Sequence, residues 1–336
     1  MIIDTIQYND NRILKHKNES YKQQILKFYN TQLDYSQFKT QFDPILYDEF
    51  CNIISGIVNE NIAFLNHLEI LKKYNNDLIK PCKRYGVFKT KNFIIKIDDS
   101  AEIFNPELEI MYLLGIDNNI LYNHNIVIPQ YIYLDYNNKN NSMNFSIQPL
   151  IKNSLPLHKW IQSHVYKQPS IENYIKMCIS ISKSILYMHS YEIVHGDIKP
   201  DNILIDINTN VPYIIDFGLS GIHGISYGSG GTKPFCCPET KNINDNINTY
   251  KWTNNNKQYD LLSIAFIFAS IIIFKNVYNT YYEYPIRYFN SDKYLSLLYL
   301  YRIPIKYRDI FVLVLSKKTD IDLANFIQLL EQALQS

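Results

Sequence analysis

The sequence predicts an α+β protein: a small β-rich lobe, a larger helical lobe after it, and a helical extension at the N-terminus. Three successive patterns along the chain carry this. Apolar residues recur at helical spacing up to about residue 80, short β-rich runs fill 85–149, and from about 151 onward the pattern is mainly helical, broken by two polar loops.

In the extension, Ile25, Phe28, Tyr29 and Leu33 fall on one helical face, and Phe50, Ile53, Ile54, Ile57 and Val58 on another. The β-rich runs are Val87-Phe88, Phe93 to Ile97, Ile126 to Ile128, Tyr131 to Leu134 and Met143 to Ile147. One helix is expected among them, from Asn105 to Leu114, with Asn105 as its cap and Pro106 at its first position. The domain boundaries expected are therefore 1–80 for the extension, about 81–150 for the small lobe and about 151–336 for the large lobe.

Composition excludes several classes. The 336 residues are 46% apolar with 33 basic and 32 acidic side chains, so no nucleic-acid partner is expected from a basic field. Asn-rich runs such as Asn137 to Asn141 belong to a bias spread over the whole chain. The five cysteines, at 51, 82, 178, 236 and 237, show neither zinc spacing nor a disulfide framework, which points to a reducing, cytoplasmic compartment. Met1 to Arg12 is polar, with Asp4 and Asp10, and does not read as a signal peptide. The longest apolar run, Leu261 to Phe274, has 14 residues including Ser263 and Ser270. It falls short of the roughly 18 to 20 residues that span a bilayer and reads as a buried helix.

Chemistry concentrates in His195-Gly196-Asp197-Ile198-Lys199-Pro200-Asp201-Asn202, which runs into the apolar Ile203 to Ile205, and in Ile214-Ile215-Asp216-Phe217-Gly218. Carboxylates can accept a proton from a hydroxyl or hold a hard cation, and a carboxamide oxygen can share that cation. A lone Asp-Phe-Gly arises by chance in many chains. The eleven-residue run ahead of it does not.

These two loops resemble the catalytic and metal loops of the eukaryotic protein kinase superfamily, and the resemblance extends over roughly residues 83 to 332. It implies a bilobal protein-kinase-like fold, ATP and Mg²⁺ as cofactors, and a protein substrate. Asp197 would be the catalytic base, Lys199 would neutralise the γ-phosphate, and Asn202 with Asp216 would hold Mg²⁺. Lys96 sits where the family's strand lysine meets the α- and β-phosphates, and it needs an acidic partner on the helix that follows. Glu107 and Glu109 are the candidates, and Glu107 is preferred because Ile110, Met111 and Leu114 share its face. His195 reads as a structural hydrogen-bonding residue, and Cys236 and Cys237 as packing residues.

Further on, Gly231-Thr232 and Cys237-Pro238-Glu239 resemble the end of an activation segment, and Tyr259-Asp260-Leu261-Leu262-Ser263 the start of a buried helix whose Asp braces the catalytic loop. Lys317 or Lys318 is the nearest match to the Arg that often pairs with the family's Glu. Two departures stand out. Of the three glycines that cover the phosphates in the family only Gly86 remains, with Pro81 and Lys83 at the other spacings, so a looser cradle for ATP is expected. Gly196 stands where many members have Arg, a spelling similar to the casein-kinase and vaccinia-related branches. It implies an activation segment that needs no phosphate on Ser226, Tyr227, Ser229 or Thr232.

Lys199 and Thr232 favour a Ser/Thr protein kinase. A small-molecule phosphotransferase of the aminoglycoside-kinase type shares the His-Gly-Asp start but lacks the Gly-Thr to Pro-Glu segment. A pseudokinase binding module would explain the degraded glycine loop, against the retention of Lys96, Asp197, Asn202 and Asp216.

Overall fold

Phe93 and Ile95 are fully buried while Ile94 and Lys96, each next in the chain, are half-buried, the two-residue alternation of a strand with one face on a core. The computed structural model describes residues 77–81, 86–89, 92–98, 105–114, 123–129, 131–133, 144–164, 169–223, 230–232, 235, 249–250, 256–274, 303–315 and 321–336. The helical faces expected before residue 77 lie outside these. The described residues of Met1–Leu121 and Val127–Lys152 form one unit, and those of Tyr122–Ile126 and Asn153–Ser336 another.

Among the described residues, the first unit is an antiparallel sheet with one helix. Its strands are β1 (Asp77–Pro81), β2 (Gly86–Lys89), β3 (Phe93–Asp98), β4 (Tyr131–Tyr133) and β5 (Asn144–Pro149), in the order β1-β2-β3-β5-β4. Lys96 lies opposite Val87 on one side and Ser146 on the other, in the sheet's centre. Helix α1 (Asn105–Leu114) follows β3. Glu107, Ile110 and Leu114, at helical spacing, are its buried stripe.

Two expectations are corrected here. The stretch Asp77–Pro81 is a strand, although helical periodicity had been read as far as residue 80; it pairs with β2 through a bulge between Leu78 and Lys80. The apolar run Ile126 to Ile128 is not a strand either: Ile126 makes one parallel bridge, to Ile214, and Tyr122–Ile126 belongs to the second unit.

The second unit is built on helices α2 (Leu157–Ser163), α3 (Ile171–Ser190), α4 (Lys257–Phe274), α5 (Ile305–Leu315) and α6 (Leu323–Gln335). Ser170 caps α3 by accepting from the Asn173 amide, and Asp322 caps α6 through Asn325, each cap worth about 1 kcal/mol. Helix α4 is buried from Leu261 through Ile273 on every side, which makes it the centre of this core; α3 and α5 pack against it. Its apolar run is the buried helix expected from the sequence.

Short strands place the loops on this base. Strand β6 (Ser154–Pro156) pairs with β8 (Ile203–Asp206), which pairs with β9 (Pro212–Ile214). Strand β7 (Ile193–Val194) pairs with β10 (Gly221–Ile222), and β11 (Gly230–Thr232) with β12 (Thr249–Tyr250).

Candidate active site

Strand β7 delivers the chain to His195, and Asp260 in the first turn of α4 receives it. The Asp260 carboxylate, 1% exposed, accepts from the His195 amide at 2.8 Å, the Gly196 amide at 2.9 Å and His189 Nε2 at 2.9 Å. Three donors offset the cost of burying its charge and fix the backbone just ahead of Asp197. His189, in the last turn of α3, is a site residue that reading the sequence missed; its only signal was a histidine among the buried Ile185 and Met188.

His195 is fully buried, and its groups are all engaged. The Asp197 amide donates to Nδ1 at 3.3 Å, so the proton resides on Nε2, which donates to the Ile215 carbonyl at 3.2 Å. The ring thus links the backbone beside Asp197 to the backbone beside Asp216.

Gly196 has φ +79°, and a Cβ there would stand 2.6 Å from the Leu219 carbonyl oxygen. Both the left-handed backbone and the close approach call for glycine.

The Asp197 side chain is held from three directions. Oδ2 accepts from Lys199 Nζ at 2.6 Å and from Asn202 Nδ2 at 3.2 Å, while Oδ1 accepts from the Thr232 amide at 2.8 Å. Lys199 Nζ also donates to Thr232 Oγ1 at 2.9 Å. Asn202 sits in the short turn Pro200–Asn202, and its Nδ2 donates to the Asp197 carbonyl as well, at 2.9 Å. With the amide hydrogens committed to Asp197, the Asn202 Oδ1 remains an acceptor without a hydrogen-bond partner among the described residues.

Asp216 follows β9 on the same end of the β8-β9 hairpin, because the Ile215 amide donates to the Asn202 carbonyl at 3.0 Å. Its φ of +67° is a left-handed conformation that Asp tolerates better than most residues. A Cβ on Gly218 would lie 3.5 Å from Asp216 Oδ1, an ordinary contact. Phe217 is 1% exposed, with its ring 5.3 Å from that of His195.

In the first unit, Lys96 Nζ donates to Glu107 Oε1, and Glu107 is 2% exposed. Gly86 opens β2 opposite Pro81, at the closed end of the β1-β2 hairpin. Lys83, Ser226, Tyr227, Ser229, Cys236 to Glu239, Lys317 and Lys318 lie outside the described residues. Nearby, Ser263 Oγ lies 2.6 Å from the Phe235 carbonyl, which ties that segment to α4.

Asn202 Oδ1 and the Asp216 carboxylate are hard oxygen donors, the ligand type that Mg²⁺ takes. Among the described residues no three His, Cys, Asp or Glu side chains gather into a metal cage. A Mg²⁺ on this pair would complete its shell with phosphate and water, and the donor set fits it.

Comparison with known proteins gives the family and the fold. The family described as the protein kinase domain matches residues 91–316. The EKC/KEOPS complex subunit BUD32 of Debaryomyces hansenii is 32% identical over 105 residues, 30% of this chain and 40% of that protein. Calcium-dependent protein kinase 6 of Plasmodium berghei is 35% identical over 134 residues, 38% of this chain and 8% of that protein. Myosin light chain kinase A of Dictyostelium discoideum is 23% identical over 226 residues, 60% of this chain and 68% of that protein. The chain thus spans 40% of the length of the first of these relatives and 8% of the second. Among solved structures, the Cydia pomonella granulovirus kinase PK-1 shares the fold, with a TM-score of 0.54 at 16% identity over 81% of this chain and 98% of that one.

Proposed function

This chain belongs to the protein kinase family, and on that premise we propose that it is a Ser/Thr protein kinase, transferring the γ-phosphoryl group of ATP to a protein hydroxyl. The observation that carries the reading is the bridge by Lys199 Nζ between Asp197 Oδ2 and Thr232 Oγ1, with the Thr232 amide on Asp197 Oδ1. It fastens the end of the activation segment to the base itself. A segment so fastened has a use where a polypeptide docks along it, and a small-molecule phosphotransferase needs none.

Asp197 is the base in this reading. Its oxygens are oriented by Lys199, Asn202 and Thr232, so the carboxylate is in place before an attacking hydroxyl arrives and accepts that hydroxyl's proton. Lys199, which already carries charge beside the carboxylate, supplies a cation for the γ-phosphate. Asn202 and Asp216 hold Mg²⁺, which when bound neutralises charge on the phosphates. In the first unit, Lys96, fixed by Glu107, is assigned to the α- and β-phosphates, and Gly86 to the glycine turn that covers them. The kinase domain in this reading takes in the sheet from Asp77, its first strand among the described residues, and the scattered cysteines, among them the free and buried Cys178, favour a reducing compartment.

The experiment is incubation of the purified protein with labelled ATP, Mg²⁺ and a panel of proteins and small molecules, followed by phosphoamino-acid analysis. Phosphoserine or phosphothreonine is the expected product. Predominant phosphotyrosine, or label on small molecules alone, would overturn the reading.

A further inference from the structure

Ser220 has no part in the chemistry assigned above, yet its side chain is 1% exposed and its hydroxyl donates to the His195 carbonyl at 2.9 Å, across 25 residues of sequence. Its amide donates to the Phe217 carbonyl at 3.0 Å, closing a turn of Phe217, Gly218, Leu219 and Ser220 directly after Asp216. The next two residues pair with β7, Gly221 opposite Val194 and Ile222 opposite Ile193. Ser220 is therefore the hinge pin between a left-handed Asp216 and a strand that runs beside the catalytic loop.

We propose that Ser220 is a positioning residue for Asp216, and through it for the metal. The proposal rests on the reading of Asp216 as a Mg²⁺ ligand. The turn after Asp216 is set against the catalytic loop at two points: the Leu219 carbonyl packs on the bare Cα of Gly196, and the Ser220 hydroxyl holds the His195 carbonyl. The first contact limits how near the turn comes, and the second stops it from moving away. Between them they hold the Asp216 backbone, which by its φ of +67° is not in a conformation it would keep unaided. Without the hydroxyl, the buried His195 carbonyl loses its donor and the turn loses its outer stop. The carboxylate then samples positions that no longer match the Asn202 oxygen. Partners that orient a metal ligand typically account for about 10- to 100-fold in metal affinity.

The test is the gain in ATP affinity that Mg²⁺ confers, measured by calorimetry with and without EDTA on wild type, Ser220→Ala, Ser220→Cys and Asp216→Asn, alongside melting temperatures. In Ser220→Ala the gain should fall about tenfold, with metal-free ATP binding unchanged; the weaker thiol donor of Ser220→Cys should fall between. A role confined to packing would lower the melting temperature and leave the Mg²⁺-dependent gain intact, which overturns the proposal. Should Ser220→Ala not fold, an unaltered gain in Ser220→Cys overturns it equally. A wild type with no Mg²⁺-dependent gain, or one in which Asp216→Asn does not abolish it, removes the metal reading of Asp216 and this proposal with it. A gain abolished by Asp216→Asn but kept in both Ser220 variants removes Ser220 alone.

Discussion

The Leu219 carbonyl oxygen occupies the space a side chain on Gly196 would need, 2.6 Å from an ideal Cβ. Alanine at 196 would face a left-handed backbone, costing about 1 to 2 kcal/mol, and a collision with main chain that cannot rotate aside. We expect Gly196→Ala to lower the melting temperature by roughly 3 to 8 °C and to slow turnover, because the backbone that moves is that of Asp197's neighbour. A melting curve superimposable on wild type would show that Leu219 withdraws at no cost.

Asp197 and Asp216 should fail differently when neutralised. Asp197→Asn removes the proton acceptor but no metal oxygen, so turnover should drop by about 10² to 10⁴ with Mg²⁺-ATP affinity within about twofold. Asp216→Asn should weaken Mg²⁺-ATP binding itself. Wild-type turnover in Asp197→Asn on every substrate would falsify the assignment of the base.

Thr232→Val keeps the amide that donates to Asp197 Oδ1 and deletes the oxygen that accepts from Lys199. Lys199 then has one anchor instead of two. The expected result is a fall in kcat of about tenfold, the worth of one charge-assisted hydrogen bond, with nucleotide affinity unchanged; Thr232→Ser should restore most of it. Equal rates for the three proteins would show that the hydroxyl is idle.

His158 supplies a pH dependence. Burial pushes its imidazole below the ordinary value near 6.5, Lys159 acts the same way, and Asp201 and the Pro200 backbone pull back only in part. At neutral pH its 3.5 Å approach to Asp201 is therefore a contact of a neutral ring, not an ion pair. The folded state binds this proton less readily than the unfolded chain. Stability is therefore complete above 6.5 and is lost as pH falls from there toward the folded value. His158→Gln should flatten that part of the curve of melting temperature against pH, and an unchanged slope would show that other groups set it.

Glu107 was legible in the sequence because a helix face is a periodic signal: the residue sharing a stripe with Ile110 and Leu114 is the one that meets Lys96. The loops were legible because their chemistry is contiguous. What stayed hidden was long-range or too short for a period. His189 and Asp260 are 71 residues apart, and no local pattern joins them. Strand β1, Asp-Leu-Ile-Lys-Pro, has two adjacent apolar residues instead of an alternation, so it passed for helix. Ile126 to Ile128 misled in the other sense, since an apolar run ahead of Pro129 is buried yet has one bridge to make.

A helix apolar around its whole circumference also has a history in the life of the chain. When α4 emerges from a ribosome, α3 is already made, but α5 and α6, which close over the same core, are still tens of residues from synthesis. During that interval the surface from Leu261 to Ile273 has no cover on one side, and such surfaces associate with one another or are taken up by chaperones. Chains cut before Ile305 should therefore collect in the insoluble fraction, even though every residue named in the catalytic loop is present in them.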